Sequence, residues 1–291
     1  MTVSSIDDAR LRAIPISTAD SREARRWVAS EVSWADLVAR LRTPVRLRVN
    51  SARYRSATKE ERHAFKDVGG YVGGRCPSGS RRSADVRDMR LVRLDADGAP
   101  RDWRGVVTTA LDGLVYLAHT TASHRPTDPR VRIVVPLSRS VTAEEYAYVS
   151  RRLAERVGEA SFPDHTTFRH NQLMFWPSVP SDGEFLVEEG AGRVLDVDAL
   201  LAEAPDWRDI STWPFTPAVP PGVAGARQQD PLAKRGWVGA FCRTYDVHRA
   251  VETFLAGVYV SGSSPDRYSH VEGSLRNGLV VYEGGRFAYS H

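Results

Sequence analysis

The stretch Leu91-Val92-Arg93-Leu94-Asp95-Ala96-Asp97-Gly98 constrains this chain most. Its mostly apolar start indicates a short buried strand, and Gly98 with Pro100 ends the run. Side chains alternate along a strand, so Asp95 and Asp97 project on the same side, roughly 7 Å apart. Two carboxylates held that close repel each other unless a cation lies between them. Hard oxygen donors suit Mg²⁺ or Mn²⁺. The alternative for so short a pattern is a solvated acidic turn, and the rest of the chain weighs between the two.

Two more strand-like runs follow. Gly113 to Ala118 leads into His119-Thr120-Thr121-Ala122-Ser123-His124-Arg125-Pro126, polar residues at the strand end where ligands sit on open α/β sheets. Arg130 to Leu137 alternates, with Arg130 and Arg132 on one face and Val131, Ile133 and Val135 on the other. Two arginines side by side need an anion or water. Between and before these runs lie helical signals. Ser33 caps a pattern with Trp34, Leu37, Val38 and Leu41 on one face. Capping boxes at Thr58–Glu61 and Thr142–Glu145 open two further helices. Residues 101 to 111 and Asp196 to Ala202 also read as helical.

Gly73 to Ser83 is a loop rich in Gly, Ser and Arg just ahead of the acidic strand, able to bring backbone near a phosphate. It lacks the spacing and terminal Lys-Ser/Thr of a P-loop. A dense polar run, Phe162 to Gln172, leads into Leu173-Met174-Phe175-Trp176-Pro177-Ser178. Gly183 to Arg193 reads as a hairpin.

The 291 residues, 42% hydrophobic, suffice for one large or two smaller cores. No apolar run reaches membrane-spanning length and no signal-peptide pattern opens the chain, so a soluble cytoplasmic protein is expected. Cys76 and Cys242 suggest neither a disulfide framework nor a zinc site. Net charge is +4 and the pI about 9.2, with 37 arginines against three lysines. Arginine forks match phosphate oxygens, though a GC-rich coding sequence produces the same bias. The expected organisation is a domain over residues 1–203, a Pro-rich linker over 204–230, and a small helical and β region over 231–291. The strand-like run at the C-terminus suggests a fragment of a longer protein.

The order of features resembles the archaeo-eukaryotic primase superfamily, specifically the primase-polymerases of phages and plasmids. That family has an Asp-x-Asp/Glu motif, a second motif ending in His, and a third with a single Asp shortly before a strand ending in Pro-x-Ser. The matching positions are Asp95 and Asp97, then His124, then Asp164 with Leu173 to Ser178, with Asp128 as a rival third carboxylate. The resemblance covers roughly residues 65 to 291. It implies an α+β fold, a mixed-sheet, RRM-like catalytic core with a small C-terminal domain. It also implies a metal-dependent nucleotidyltransferase that starts or extends strands on single-stranded DNA in phage or mobile-element replication within a bacterial cell. Two divalent ions, Mg²⁺ or Mn²⁺, would be held by Asp95, Asp97 and Asp164. Ser123, His124, Arg130 and Arg132 would bind the incoming NTP or dNTP. Arg81, Arg82 and Arg169 would contact phosphate or template backbone. A helicase region is expected beyond the C-terminus. The alternative from another class is a non-catalytic module that binds single-stranded DNA for such a helicase. A glycosyltransferase with an Asp-x-Asp motif fits the basic balance less well.

Overall fold

A computed structural model describes residues 9, 11–215 and 230–291. The chain divides into two compact units, Met1–Glu203 and Ala204–His291. Residues 216–229, most of the stretch read as a linker, lie outside the described residues.

Strands of the first unit are β1 (Ile14–Ala19), β2 (Val28–Val32), β3 (Val45–Arg46), β4 (Gly70–Val72) and β5 (Met89–Ala96). They continue with β6 (Tyr116–Thr120), β7 (Val131–Val141), β8 (Met174–Phe175), β9 (Ser178–Val179) and β10 (Val187–Gly190). One sheet has the order β2-β1-β4-β8 and a second β10-β6-β7-β5, each pairing antiparallel. Parallel pairing enters with the short β3–β9 ladder. The class is α+β.

The two sheets enclose a core of Ile14, Ile16, Tyr71, Leu91, Leu117, Val134 and Met174, closed by Leu37 and Leu41. Those leucines come from the helix Trp34–Arg42, which Ser33 caps by accepting from the Asp36 amide. On β7 the alternation holds as the sequence indicates: Val131, Ile133 and Val135 are buried on the face opposite Arg132. The helix Ala143–Val157 packs on β5 and β7, burying Tyr146, Val149, Leu153 and Val157. Its capping box, Thr142 with Glu145, forms as read.

Two local expectations change. The second strand starts later than read, at Tyr116, so His119 lies inside it. Gly183–Arg193 is not a hairpin, because β10 pairs with the edge of β6 instead. A Cβ at Gly190 would strike the Tyr116 ring, so only glycine lets the strands approach there. Gly73 and Gly74 of the 73–83 loop are needed for close packing. A Cβ at Gly73 would meet Leu91 and Arg93, and one at Gly74 would meet the Arg87 carbonyl.

In the second unit β11 (Tyr259–Ser261), β12 (Arg267–His270), β13 (Leu279–Tyr282) and β14 (Phe287–Ser290) form an antiparallel meander. Val251, of the helix Val247–Phe254, joins Tyr268, Leu279 and Val281 in its small core. Residues 204–215 are part of this unit. The Ile210 amide donates to the Arg276 carbonyl at 3.1 Å, and Asn277 donates to the Asp209 carboxylate at 2.7 Å. Among the described residues no helix is long and apolar enough to cross a membrane.

Candidate active site

Antiparallel pairing of β5, β7 and β6 sets Asp95 opposite Arg132 and Arg132 opposite His119. The three side chains form one row across the sheet, at the edge of the inter-sheet core. Arg132 donates to both Asp95 oxygens, Nε to Oδ1 at 2.7 Å and Nη2 to Oδ2 at 3.2 Å. Its Nη1 donates to the Phe175 carbonyl at 2.6 Å. The Arg132 side chain is only 8% exposed, so this fork is mostly out of water. Burial opposes its charge, yet the Asp95 carboxylate overrides that and holds the guanidinium above its ordinary pKa.

The next pair along the sheet repeats the pattern more loosely. Arg130 lies 3.3 Å from Asp97 and 3.4 Å from Asp128. Burial, and then the charge of Asp95, push the Asp97 carboxyl above its ordinary pKa, while Arg130 pulls it back. The anion that Arg130 and Arg132 require is thus supplied within the protein, by Asp97 and Asp95.

His119 is buried, and its ring nitrogen Nδ1 sits 2.9 Å from the Thr120 carbonyl. A carbonyl only accepts, so Nδ1 carries the proton and Nε2 is a bare acceptor. That Nε2 is buried and unpartnered among the described residues. Burial, then Arg132, push the imidazole pKa down to about 4. No motif marks His119; its role follows only from its place in the sheet.

These groups line a cleft of about 330 Å³. Asp95, Asp97, Ser123, Arg130 and Arg132 of the expected site residues are in it, as is Asp128. Its other wall comes from a segment to which the sequence motifs assigned nothing: Tyr54, Lys59, Arg62, His63 and Lys66. The signal was present, since Lys59, Arg62, His63 and Lys66 recur at helical spacing after the Thr58 capping box.

His124 lines a smaller adjoining pocket of about 40 Å³, which shares Tyr54, Arg62 and Ser123 with the cleft. The Arg130 amide donates to its Nδ1 at 3.4 Å, which places the proton on Nε2, a buried donor without a partner among the described residues. Burial holds its pKa below the ordinary value. Ser123 Oγ lies 3.3 Å from the Tyr54 hydroxyl.

Asp164 is not in the cleft. Its carboxylate is exposed and caps the turn His165–Phe168, accepting from the Thr166 amide at 2.9 Å. A short polar side chain preceding such a turn satisfies its free amides first. The segment is nonetheless pinned to the acidic strand at two points. The Gly98 amide donates to the Ser161 carbonyl at 3.0 Å, and the Asp95 amide to Thr167 Oγ1 at 2.8 Å. A Cβ at Gly98 would run into the Ala160 carbonyl. Gly98→Ala is therefore expected to cost about 1–3 kcal/mol, read as a lower denaturant midpoint, because the backbone must move to admit a methyl group.

Arg81, Arg82 and Arg169 also lie outside the cleft. Arg81 is half-buried, donating to the Asn171 carbonyl at 2.7 Å and stacking over Trp27 at 5.4 Å, so it braces one loop to another. Arg82 and Arg169 are exposed.

Among the described residues no three His, Cys, Asp or Glu side chains cluster closely enough to hold a metal ion. The triad of Asp95, Asp97 and Asp164 is thus not assembled, because Asp164 is spent on its cap. The donor chemistry of Asp95 and Asp97 does fit one hard divalent cation. They are two crowded carboxylates facing a polar cleft, and their mutual repulsion would be relieved by it.

Comparison with curated proteins finds no match. Among solved structures, the archaeo-eukaryotic primase domain of the cyanophage S-2L primase-polymerase is similar, at 12% identity and a TM-score of 0.37, covering 67% of this chain and 92% of that one. The model of the VapE N-terminal domain family matches residues 4–216, which takes in the whole of the acidic strand, the cleft and its walls. The chain belongs to the VapE N-terminal domain family.

Proposed function

We propose that this protein is a metal-dependent nucleotidyltransferase of the primase-polymerase type, which starts or extends a strand on single-stranded DNA. One observation carries the reading. Asp95 and Asp97 stand at the end of a strand in a cleft of about 330 Å³ that is lined by six cationic and three carboxylate side chains. That volume suits a small-molecule ligand, and the charge suits a polyanion held beside a carboxylate-bound cation.

Asp95 and Asp97 would hold the divalent ion, with Asp128, which lines the same cleft, or Asp164 as the third carboxylate. The bound ion supplies Lewis acidity at the reacting phosphate and lowers the pKa of the attacking 3′-hydroxyl. Arg132 fixes the orientation of Asp95 through its two-pronged contact, and Arg130 does the same for Asp97. His124 presents its Nε2–H as a donor to a phosphate oxygen, with Ser123 beside it. Exposed Arg82 and Arg169 contact the template backbone. Incoming NTP or dNTP and a DNA template are the substrates, and a helicase region is the expected partner in the longer protein.

The test is incorporation of labelled nucleotide on single-stranded DNA, with and without a primer, in Mg²⁺ and in Mn²⁺. Product is expected with metal and none with EDTA. A second reading has its own support: Asp95 is already neutralised by Arg132, and among the described residues no third ligand clusters with Asp95 and Asp97. It is a non-catalytic module that binds single-stranded DNA. Metal-independent DNA binding without any product would select it.

A further inference from the structure

The sequence motifs would place the triphosphate of an incoming nucleotide on Arg130 and Arg132. Both are occupied by Asp97, Asp128 and Asp95. A triphosphate needs other cations. The helix Lys59–Phe65 and its C-cap Lys66 supply them. Lys59, Arg62, His63 and Lys66 follow the i, i+3, i+4, i+7 spacing that puts side chains on one helical face, and all four line the cleft. The capping box of Thr58 and Glu61 fixes where this helix begins.

The cations of this face are opposed only at a distance: Asp95 and Asp97 act on Lys66 across the cleft without forming an ion pair with it. Glu61 is turned away, paired with Arg53 and capping Thr58. Among the described residues, Lys59, Arg62 and Lys66 make no ion pair. Lys66 is half-buried over the Phe175 ring, 5.2 Å from its centre. Burial, then Arg132, hold its ammonium below the ordinary lysine pKa. His63 accepts from the Arg22 guanidinium at Nδ1, which leaves Nε2–H as a further donor. An ammonium desolvated next to a like charge is costly unless an anion joins it. Across the same cleft stand Asp95 and Asp97, the site of the cation, so an anion here would lie between the ion and the helix.

We infer that the Lys59–Arg62–Lys66 face is the polyphosphate-binding wall of the cleft, holding the β- and γ-phosphates of a nucleoside triphosphate. This rests on the nucleotidyl-transfer reading for the identity of the ligand and extends it to a segment no motif covers. The triphosphate is favoured over a template backbone because these cations line the same cleft of about 330 Å³ as the carboxylates. Arg82 and Arg169, by contrast, lie exposed outside it.

The experiment titrates dATP, dADP and dAMP into the full chain in Mg²⁺ without template. Wild type is compared with Lys66→Gln and with the triple variant Lys59→Gln/Arg62→Gln/Lys66→Gln. Binding of a single-stranded oligonucleotide is measured in parallel. The triple variant is expected to weaken dATP about 30-fold, dADP less, and dAMP by no more than about twofold, because only phosphates beyond the first reach the wall. Oligonucleotide binding is expected to stay within about twofold. Thermal melting checks the fold. Lys66→Gln removes a half-buried charge, and it carries the test alone if the triple variant melts early. Loss of the same size for dAMP or for the oligonucleotide, unchanged dATP affinity, or no dATP binding by wild type each overturns the inference. If wild type incorporates no nucleotide but shows the graded loss, the inference stands and the transferase reading falls. If it incorporates nucleotide and the triple variant keeps its KM, the reverse holds.

Discussion

Replacing Asp95 and Asp97 together by alanine is expected to remove metal-dependent nucleotide incorporation, a fall of about 10³-fold or more, since each transition-state contact through the ion is lost at once. The measurement is product formed on a primed template in Mg²⁺ and in Mn²⁺. The variant needs a fold control. Arg132 is largely buried and forked onto Asp95, so removing the carboxylate leaves a charge without its partner, at a cost of about 3–5 kcal/mol. Two single variants separate the effects. Asp95→Asn keeps an oxygen for Arg132, and Asp97→Ala removes the more exposed of the two acids. Both are expected to fold and to lose activity. Full activity in Asp97→Ala would sink the proposed metal site. Asp164→Ala and Asp128→Ala then identify the third carboxylate, because only the one that reaches the ion shares the large loss.

Arg93→Ala is expected to be the most destabilising single change, by about 3–5 kcal/mol in equilibrium unfolding. Arg93 is fully buried, an unusual place for a guanidinium. No carboxylate pairs with it among the described residues. It donates instead to the His170 carbonyl at 2.7 Å, the Gln172 carbonyl at 3.0 Å and the Tyr146 hydroxyl at 3.3 Å. Its carbon centre lies over the Tyr146 ring at 5.5 Å. Alanine would leave two carbonyls without these donors and open a cavity of side-chain size between β5 and the helix Ala143–Val157. The same two carbonyls belong to the segment that leads into β8, whose Phe175 carbonyl holds Arg132. Loss of Arg93 should therefore loosen the cleft as well as the core. Hydrogen exchange at residues 170–176 would detect this, and a variant as stable as wild type would show that the carbonyls find other donors.

Arg93 also marks where local pattern stops being informative. Read along the strand, it is one polar residue in an apolar run. Only packing reveals that it ties three elements together.

What the sequence by itself determined were the local decisions. Period-two alternation grouped Asp95 with Asp97, and Arg130 with Arg132, and all four line one cleft. Capping residues at Ser33, Thr58 and Thr142 started helices where the structure has them. These follow from interactions within a few residues, which any stretch of chain carries with it. The tertiary structure decided which strand lies beside which. Setting β7 between β5 and β6 turned two arginines expected to await a ligand into the partners of two aspartates. It also brought His119 into the same row. Pairing β10 with β6 replaced an expected hairpin, and the fold brought the Lys59–Lys66 face to a cleft whose acids lie some thirty residues further on. Such contacts join residues far apart in the chain. Their partners are chosen by complementary surfaces and by the register of whole sheets, and no periodicity within one segment encodes that choice.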